Sequence, residues 1–212
     1  MYLPKAHEET SKDVLNGLIK NHPLGCIVTL GKEGLIVNHI PFLLDPTSGE
    51  HGTLRGHVAR ANPMWQDLST STESVVIFQG PDSYVSPNWY PGKHQTGKAV
   101  PTWNYAVVHA HGFLKVIDDA AWLLKLVTEL TDVHEASQSL PWQVSDAPRD
   151  YIDRMLEMIV GIEIPVTKIV GKWKMSQNRT REDRLGVVAG LDARHDAGAQ
   201  AVAAWVTRSL QD

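Results

Sequence analysis

Residues 55–63 combine several groups that bind phosphate in proteins. His57 and Arg60 supply titratable and cationic side chains, and the glycine before His57 lets a ligand approach the backbone closely. Asn62 followed by Pro63 is typical of a helix start, where free N–H groups attract anions. The segment therefore predicts a phosphate site. A strand-to-helix turn with a solvated arginine and a capping asparagine is the alternative interpretation.

A second segment, residues 97–105, has groups suited to a phosphorylated planar ring. Lys98 supplies a second cation for a phosphate, and Trp103 supplies a flat apolar wall. Thr102 and Asn104 offer hydrogen bonds to the edge of a heterocycle, since ligand pockets set a few polar groups in a mostly apolar lining. An ordinary strand with core aromatic residues is the alternative.

A third segment, residues 172–179, places several donors in succession after a predicted strand. Ser176, Gln177 and Arg179 suit an oxygen-rich ligand. A solvated loop before a helix, capped by Ser176 or Asn178, explains them equally well. The basic residues of this region are interpreted as a solvated helix face: Lys172, Lys174, Arg179, Arg181 and Arg184.

Hydrophobic periodicity and turn residues divide the chain into helices and strands. Strands are predicted at residues 26–30, 35–44, 53–58, 74–79, 101–116 and 161–173, with a fragment at 84–85 beyond a turn at residues 80–82. Helices are predicted between Thr10 and Pro23, after Asp118 or Asp119, after residues 146–148, near 181–191 and near 197–210. The helix after Asp118 is expected to turn Ala121, Leu124, Val127 and Leu130 towards the core, and the next one Tyr151, Ile152, Met155, Leu156 and Ile159.

Strands in hairpins, interrupted by helices, indicate a mainly β member of the α+β class, a small antiparallel barrel with helical decoration. No internal repeat or linker divides the chain. We therefore expect one domain over residues 1–191, with residues 192–212 as a helical extension of it.

Composition excludes several classes of protein. The 212 residues carry 20 Lys and Arg against 24 Asp and Glu, a formal net charge of -4, which argues against a broad basic surface for nucleic acid. The single cysteine, Cys26, rules out an intramolecular disulfide and is expected to be a buried, inert thiol. The sequence has no secretory signal and no run of about 18 apolar residues, so a cytoplasmic location is expected.

Histidines raise the question of a metal. His109 and His111 share one face of a predicted strand, and His134 follows on the next helix. A metal site needs three or four converging ligands, and no spacing here is diagnostic of one, so no metal is predicted. The sequence also lacks the Gly-x-Ser-x-Gly pattern of a hydrolase nucleophile elbow.

Taken in order, many short strings of this sequence resemble the FMN-binding negative transcriptional regulators, the PaiB-like proteins. The resemblance extends from the first residue to about Leu191. The matching strings lie at residues 1–4, 38–41, 56–63, 77–81, 84–90, 100–105, 134–135, 161–164 and 174–179.

The PaiB-like proteins are similar to the wider group of flavin-binding split β-barrels. The resemblance implies an antiparallel split β-barrel with peripheral helices and a homodimer with FMN at the subunit interface. Where it coincides with the polar segments above, it implies that Arg60, Asn62 and the N–H groups at Pro63 hold the phosphate, helped by His57 and Lys98. It further implies that the backbone around Asn38, His39 and Pro41 faces the isoalloxazine, with Pro41 and Trp103 as apolar walls. Ser176, Gln177 and Arg179 would complete the site from a second subunit.

Three functions stay open. A flavin-dependent oxidoreductase is physically the simplest, because the flavin performs the redox chemistry, with NAD(P)H or another small molecule as reductant or substrate. His39, Tyr105 and His109 are candidates near such a site. An FMN-responsive regulator that binds DNA or a partner is the alternative, although no convincing helix-turn-helix pair is present. A haem-binding split-barrel protein is the third option, and it would require an exposed axial histidine.

Overall fold

The computed structural model describes residues 1–67 and 72–210, apart from the side chain of His94. Within these residues nine strands form one antiparallel sheet, in the order β3-β2-β6-β7-β9-β5-β4, with β1 and β8 also paired to β9. The sheet does not close on itself. The strands are β1 (Glu8–Glu9), β2 (Leu24–Gly31), β3 (Gly34–Pro41), β4 (Leu43–Asp45), β5 (Thr53–Ala59), β6 (Ser74–Val85), β7 (Thr102–Gly112), β8 (Lys115–Ile117) and β9 (Ile159–Lys174). The predicted mainly β split-barrel fold is confirmed.

Six α-helices interrupt the strands within the described part of the chain. They are α1 (Lys12–Asn21), α2 (Pro91–Thr96), α3 (Ala120–Glu135), α4 (Arg149–Glu157), α5 (Arg181–Asp192) and α6 (Ala197–Arg208). Side-chain caps define three helix starts: Asp119 accepts from Trp122 N, Thr180 from Asp183 N and Asp196 from Ala199 N. Each cap satisfies an N–H group that has no partner inside its helix.

The chain divides into two compact units. Unit 1 comprises residues 1–18, 79–108 and 170–212, and unit 2 comprises residues 19–78 and 109–169. The division cuts across β6, β7 and β9, so the predicted single-domain boundary at residue 191 stays a prediction.

Unit 1 is built from α2, α5, α6 and parts of β6, β7 and β9. The rings of Trp173 and Trp205 stack with centroids 5.8 Å apart, and Val202 and Val206 of α6 are fully buried. The C-terminal segment is therefore part of the core of this unit.

Unit 2 contains α3, α4 and the hairpin of β2 and β3. That hairpin pairs Leu24 with Pro41 at one end and Gly31 with Gly34 at the other. Phe42 and Phe78 are fully buried and meet edge to face at 6.0 Å. A regular hairpin of this kind fixes which side chains of β3 face inward, because neighbouring residues alternate between the two faces.

Several local predictions were wrong. Strand β6 continues through residues 80–82, where a turn was expected. Gly80 serves close packing, because a Cβ there would lie 3.0 Å from Leu18 Cδ1 and 3.1 Å from the ring of Trp205. The buried residues of α3 are Leu123, Leu126 and Leu130. The prediction was right for Leu130, whereas Leu124 and Val127 are only partly buried and Ala121 is exposed. Tyr151 and Met155 of α4 are exposed instead of buried.

Candidate functional site

The predicted site residues fall into two sets, one in each unit, and each set is described by itself. The set in unit 2 contains Asn38, His39, Pro41, His57, Arg60 and Asn62. The set in unit 1 contains Lys98, Thr102, Trp103, Asn104, Ser176, Gln177 and Arg179.

In unit 2, Asn38 and Asn62 lie side by side and hold a short 3-10 turn, Pro63–Trp65. Asn62 Oδ1 accepts from Met64 N at 2.9 Å, as predicted for an N-cap. Asn62 Nδ2 donates to Asn38 Oδ1 at 2.8 Å, and Asn38 Nδ2 donates to the sulfur of Met64 at 3.3 Å. Both side-chain amides therefore use some of their hydrogen-bonding groups to hold the turn itself.

Arg60 is held by groups of its own unit. Its guanidinium donates to both carboxylate oxygens of Asp118, at 2.6 and 3.0 Å, and to the carbonyl oxygens of Glu157 and Ile159, at 2.7 and 3.0 Å. Glu157 is the last residue of α4, so its carbonyl lacks a partner inside the helix, and Ile159 is the first residue of β9. The hydrogen bond from Arg60 lowers the pKa of Asp118 and, reciprocally, raises that of Arg60. A phosphate at Arg60 would have to compete with this carboxylate.

His57 lies on β5 two residues from Arg55, so both side chains share one face of the strand. Arg55 pairs with Glu129 of α3 at 2.8 Å. Burial lowers the pKa of His57, and its Nδ1 has no hydrogen-bond partner among the described residues. Its imidazole is therefore mainly neutral at pH 7 and adds little positive charge to this set.

In unit 1, a buried pair joins β7 to the loop after β9. Asn104 is fully buried, and its Nδ2 lies 3.0 Å from Ser176 Oγ, which in turn lies 3.2 Å from Asn104 Oδ1. Ser176 has a φ of 61°, a left-handed conformation that is uncommon outside glycine. Two segments that are 72 residues apart in sequence thus meet through polar side chains.

Lys174, at the end of β9, is the cation nearest to this pair in sequence. Its ammonium donates to the hydroxyl of Thr102 and to the carbonyl oxygen of Trp103, the latter at 2.9 Å. Burial lowers the pKa of Lys174, and the charges of Lys172 and Arg179 act in the same direction while Tyr105 opposes them. The lysine is therefore held among other cations.

Lys172 and Arg179 lie against aromatic rings. Lys172 is only 8% exposed; its Nζ lies 5.3 Å from the ring centre of Tyr105 and 5.7 Å from that of Tyr2. The guanidinium carbon of Arg179 lies 4.8 Å from the ring centre of Tyr90. Aromatic faces attract cations but do not neutralise their charge.

Within the described residues, none of these three cations forms an ion pair with a carboxylate. The interpretation of Lys172 and Lys174 as part of a solvated helix face was wrong, because both lie on β9. Neither was among the residues that the sequence predicted for the site, although their spacing of two places them on one face of the strand.

The remaining predicted residues of unit 1 are more open to solvent. Trp103 is 54% exposed and meets the ring of Tyr84 edge to face at 6.2 Å. Lys98 is exposed in the loop after α2. Unit 2 also has a cavity of about 650 Å³ between α3 and residues 143–152, but no predicted site residue lines it.

The histidine pair does not extend to a metal-binding group in the described part of the chain. The rings of His109 and His111 are 6.4 Å apart on β7. No set of three or more His, Cys, Asp or Glu side chains is arranged to hold a metal in residues 1–67 and 72–210. Over the same residues, no helix combines the length and apolar character needed to cross a membrane.

Comparison with known proteins places this arrangement in a family. Residues 1–168 match the family described as "Putative FMN-binding domain". An uncharacterised protein of Emericella nidulans is 38% identical, over 91% of this chain and 90% of its own length. The protease synthase and sporulation protein PAI 2 of Bacillus subtilis is 30% identical, over 96% of this chain and 95% of its own length.

Solved structures show the same fold at low sequence identity. The FAD and haem binding protein of Mycobacterium smegmatis has a TM-score of 0.59 at 14% identity, covering 84% of this chain and 78% of that one. The flavocytochrome Anf3 of Azotobacter vinelandii has a TM-score of 0.56 at 12% identity, covering 84% and 74%. The resemblance inferred from sequence is confirmed: this chain belongs to the PaiB-like family of FMN-binding domains, with a split β-barrel fold.

Proposed function

We propose that this chain binds FMN and that the phosphate of FMN lies against the basic set of unit 1, formed by Lys172, Lys174, Ser176 and Arg179. The observation that carries the proposal is the presence of three neighbouring cations without a carboxylate partner in the described residues. A phosphate monoester carries a charge of about -1.5 to -2 at pH 7, so it would offset the repulsion among them.

The rest of the predicted unit 1 set suits the ring system. Trp103 offers an exposed aromatic surface beside the Lys174 contact, and stacking on such a surface tolerates a flat heterocycle. Asn104 is occupied by Ser176, so we assign it to holding the serine in place. Lys98 remains a second proposed phosphate contact.

The unit 2 set is a separate proposal for contact with a flavin, considered by itself. Asn62 and Asn38 retain unused amide N–H groups, since each amide carries two donors and spends one. Arg60 would have to exchange Asp118 for the phosphate, a replacement of one anion by another with little electrostatic gain. Within unit 2 we therefore expect Arg60 and His57 to contribute little to phosphate binding, and Pro41 and His39 remain candidates for contact with a flavin ring.

When bound, FMN would supply the redox chemistry, and the chain would bind and orient it. We propose a flavin-dependent oxidoreductase that takes electrons from NAD(P)H or another small molecule. Tyr105, beside Lys172, is the nearest candidate for proton transfer in the basic set. The regulator alternative is less favoured, because the chain has a formal net charge of -4 and DNA binding requires a broad basic surface.

We further propose a homodimer, in which an apolar face of unit 2 meets a second copy. Leu35 and Val37 of β3 are 74% and 55% exposed, and Leu24 and Leu30 of β2 are exposed beside them. In the hairpin Leu30 pairs with Leu35 and Leu24 pairs with Pro41, so these side chains share one face. Large contiguous apolar patches are rare on monomeric proteins.

One observation favours a second candidate, haem binding. His39 lies on the same face of β3 as Val37, paired with Cys26 of β2, and it is exposed. An exposed histidine on an apolar surface meets the requirement for an axial ligand. The relevant test is a Soret band on haem addition that is lost in His39→Ala.

The visible spectrum of the purified protein, before and after NADPH addition, tests the main proposal. FMN binding predicts flavin absorbance, or quenching of flavin fluorescence on titration, and oxidoreductase activity predicts bleaching by NADPH. If the purified protein shows no flavin absorbance and does not quench flavin fluorescence on titration, the proposal of FMN binding is wrong. Light scattering during size-exclusion chromatography tests the dimer separately.

A further inference from the structure

The loop that carries Ser176 is closed by the side chain of Gln177. Gln177 Oε1 accepts from the main-chain N of Met175 at 2.7 Å, and its Nε2 donates to the carbonyl oxygen of Trp173 at 2.6 Å. Both contacts are to main-chain groups of fixed polarity, so they fix which end of the amide is which. The side chain thereby clamps the residues that lead from β9 into the turn.

His7 makes a second contact with the oxygen of this amide. Its Nδ1 lies 3.2 Å from Gln177 Oε1, and the residue is buried. Since Oε1 can only accept, Nδ1 must carry the proton and donate. The next two residues, Glu8 and Glu9, pair with Lys172 and Gly171 of β9, so the histidine is anchored to the strand that bears the basic set.

The clamped turn leaves main-chain donors unused. Arg179 N donates to Ser176 O at 3.0 Å, which closes the turn. The main-chain N–H groups of Ser176, Gln177 and Asn178 have no acceptor within the described residues. Successive free N–H groups next to a left-handed residue can form a concavity that binds anions.

We propose that residues 175–179 form a phosphate-binding turn and that His7 and Gln177 are positioning residues that hold Ser176 in its left-handed conformation. The proposal rests on the proposed function and deepens it, because it assigns main-chain N–H groups, beside Lys174 and Arg179, to the phosphate. His7 would act through Gln177 and would not touch the ligand.

Comparing FMN with riboflavin isolates the phosphate, which riboflavin lacks. His7→Leu removes the donor, whereas His7→Asn keeps an N–H group near the position of Nδ1. We expect His7→Leu to weaken FMN binding at least about tenfold, because the turn that presents its N–H groups to the phosphate loses its support, while riboflavin binding changes little. We expect His7→Asn to restore most of the FMN affinity, and His22→Leu, a control at another histidine, to have no effect. Equal losses for FMN and riboflavin, or no rescue by asparagine, would overturn the positioning role.

Inorganic phosphate provides a test that does not depend on flavin binding. Amide NMR of the wild-type protein should show saturable shifts at residues 176–179 on phosphate addition, reduced in His7→Leu and in Gln177→Met. If the protein fails to bind FMN but shows these shifts, the FMN proposal is wrong and the phosphate-binding turn stands. If wild-type protein shows no shift there, the turn is not an anion site, whatever FMN does.

Discussion

Lys174→Met is the sharpest test of where the phosphate lies, because it removes the charge and keeps the length of the side chain. In the proposed complex, Lys174 makes a charge-assisted contact with the phosphate. Such contacts contribute about 1.5–3 kcal/mol, which corresponds to roughly a 10- to 150-fold rise in Kd. The existing contacts of Lys174 with Thr102 and the carbonyl of Trp103 would also be lost, so thermal unfolding must be measured in parallel.

Quenching of flavin fluorescence gives the Kd for each variant. Riboflavin should bind Lys174→Met as it binds the wild type, because it has no phosphate. Lys115→Met is a matched control, since that lysine is exposed and pairs with Glu163 at 3.8 Å. Unchanged FMN affinity in both Lys174→Met and Arg179→Ala would refute the assignment to unit 1. If only Lys98→Met or Arg60→Ala lowered the affinity for FMN, the phosphate site would instead be assigned to the residues first predicted from the sequence.

Four further predictions follow from the contacts. Arg60→Ala should lower the melting temperature, because the carbonyls of Glu157 and Ile159 lose a donor, while the Kd for FMN changes by less than about tenfold. The pairing with Arg60 lowers the pKa of Asp118, so the stabilising contribution of the pair is present above the unfolded-state pKa and is lost as the pH falls through the folded-state pKa. The difference in melting temperature between wild type and Asp118→Asn should therefore shrink on acidification. A difference that stays constant with pH would contradict this. Asn104→Leu should cost about 1–3 kcal/mol in urea unfolding by leaving the Ser176 hydroxyl unpaired, and adding Ser176→Ala should recover part of that loss. Val37→Lys should convert the proposed dimer to a monomer in light scattering, whereas a dimer that persists would exclude this face.

The strands were predictable because period-two alternation and turn residues are local signals. The hairpin of β2 and β3 follows from two apolar runs and the turn at residues 31–34. The prediction of a turn at residues 80–82 was wrong, because a glycine followed by a proline is common in turns but is also found within strands. Gly80 is needed for the approach of Leu18 and Trp205, a tertiary contact that local sequence does not encode.

The candidate site was predictable in its parts but not in its electrostatics. The sequence predicted Asn104 and Ser176 as hydrogen-bonding residues of the site, and in the structure the two side chains hydrogen-bond to each other. It could not reveal the role of His7, because that contact links residues 170 positions apart. Lys172 and Lys174 were misjudged because the charges around them suggested a helix surface, whereas strand β9 continues to Lys174.

The difference between a paired and an unpaired cation decides which basic residue can serve an anionic ligand. Arg60 stands in the most suggestive motif of the sequence, yet Asp118 already balances its charge. Binding a phosphate there exchanges one anion for another, and the displaced carboxylate must find new partners. At Lys172, Lys174 and Arg179 a phosphate would instead relieve the mutual repulsion that contributes to the lowered pKa of Lys174. FMN binding should therefore raise the pKa of Lys174, and a titration of its side-chain NMR signal that shows no such rise would argue against contact with the phosphate.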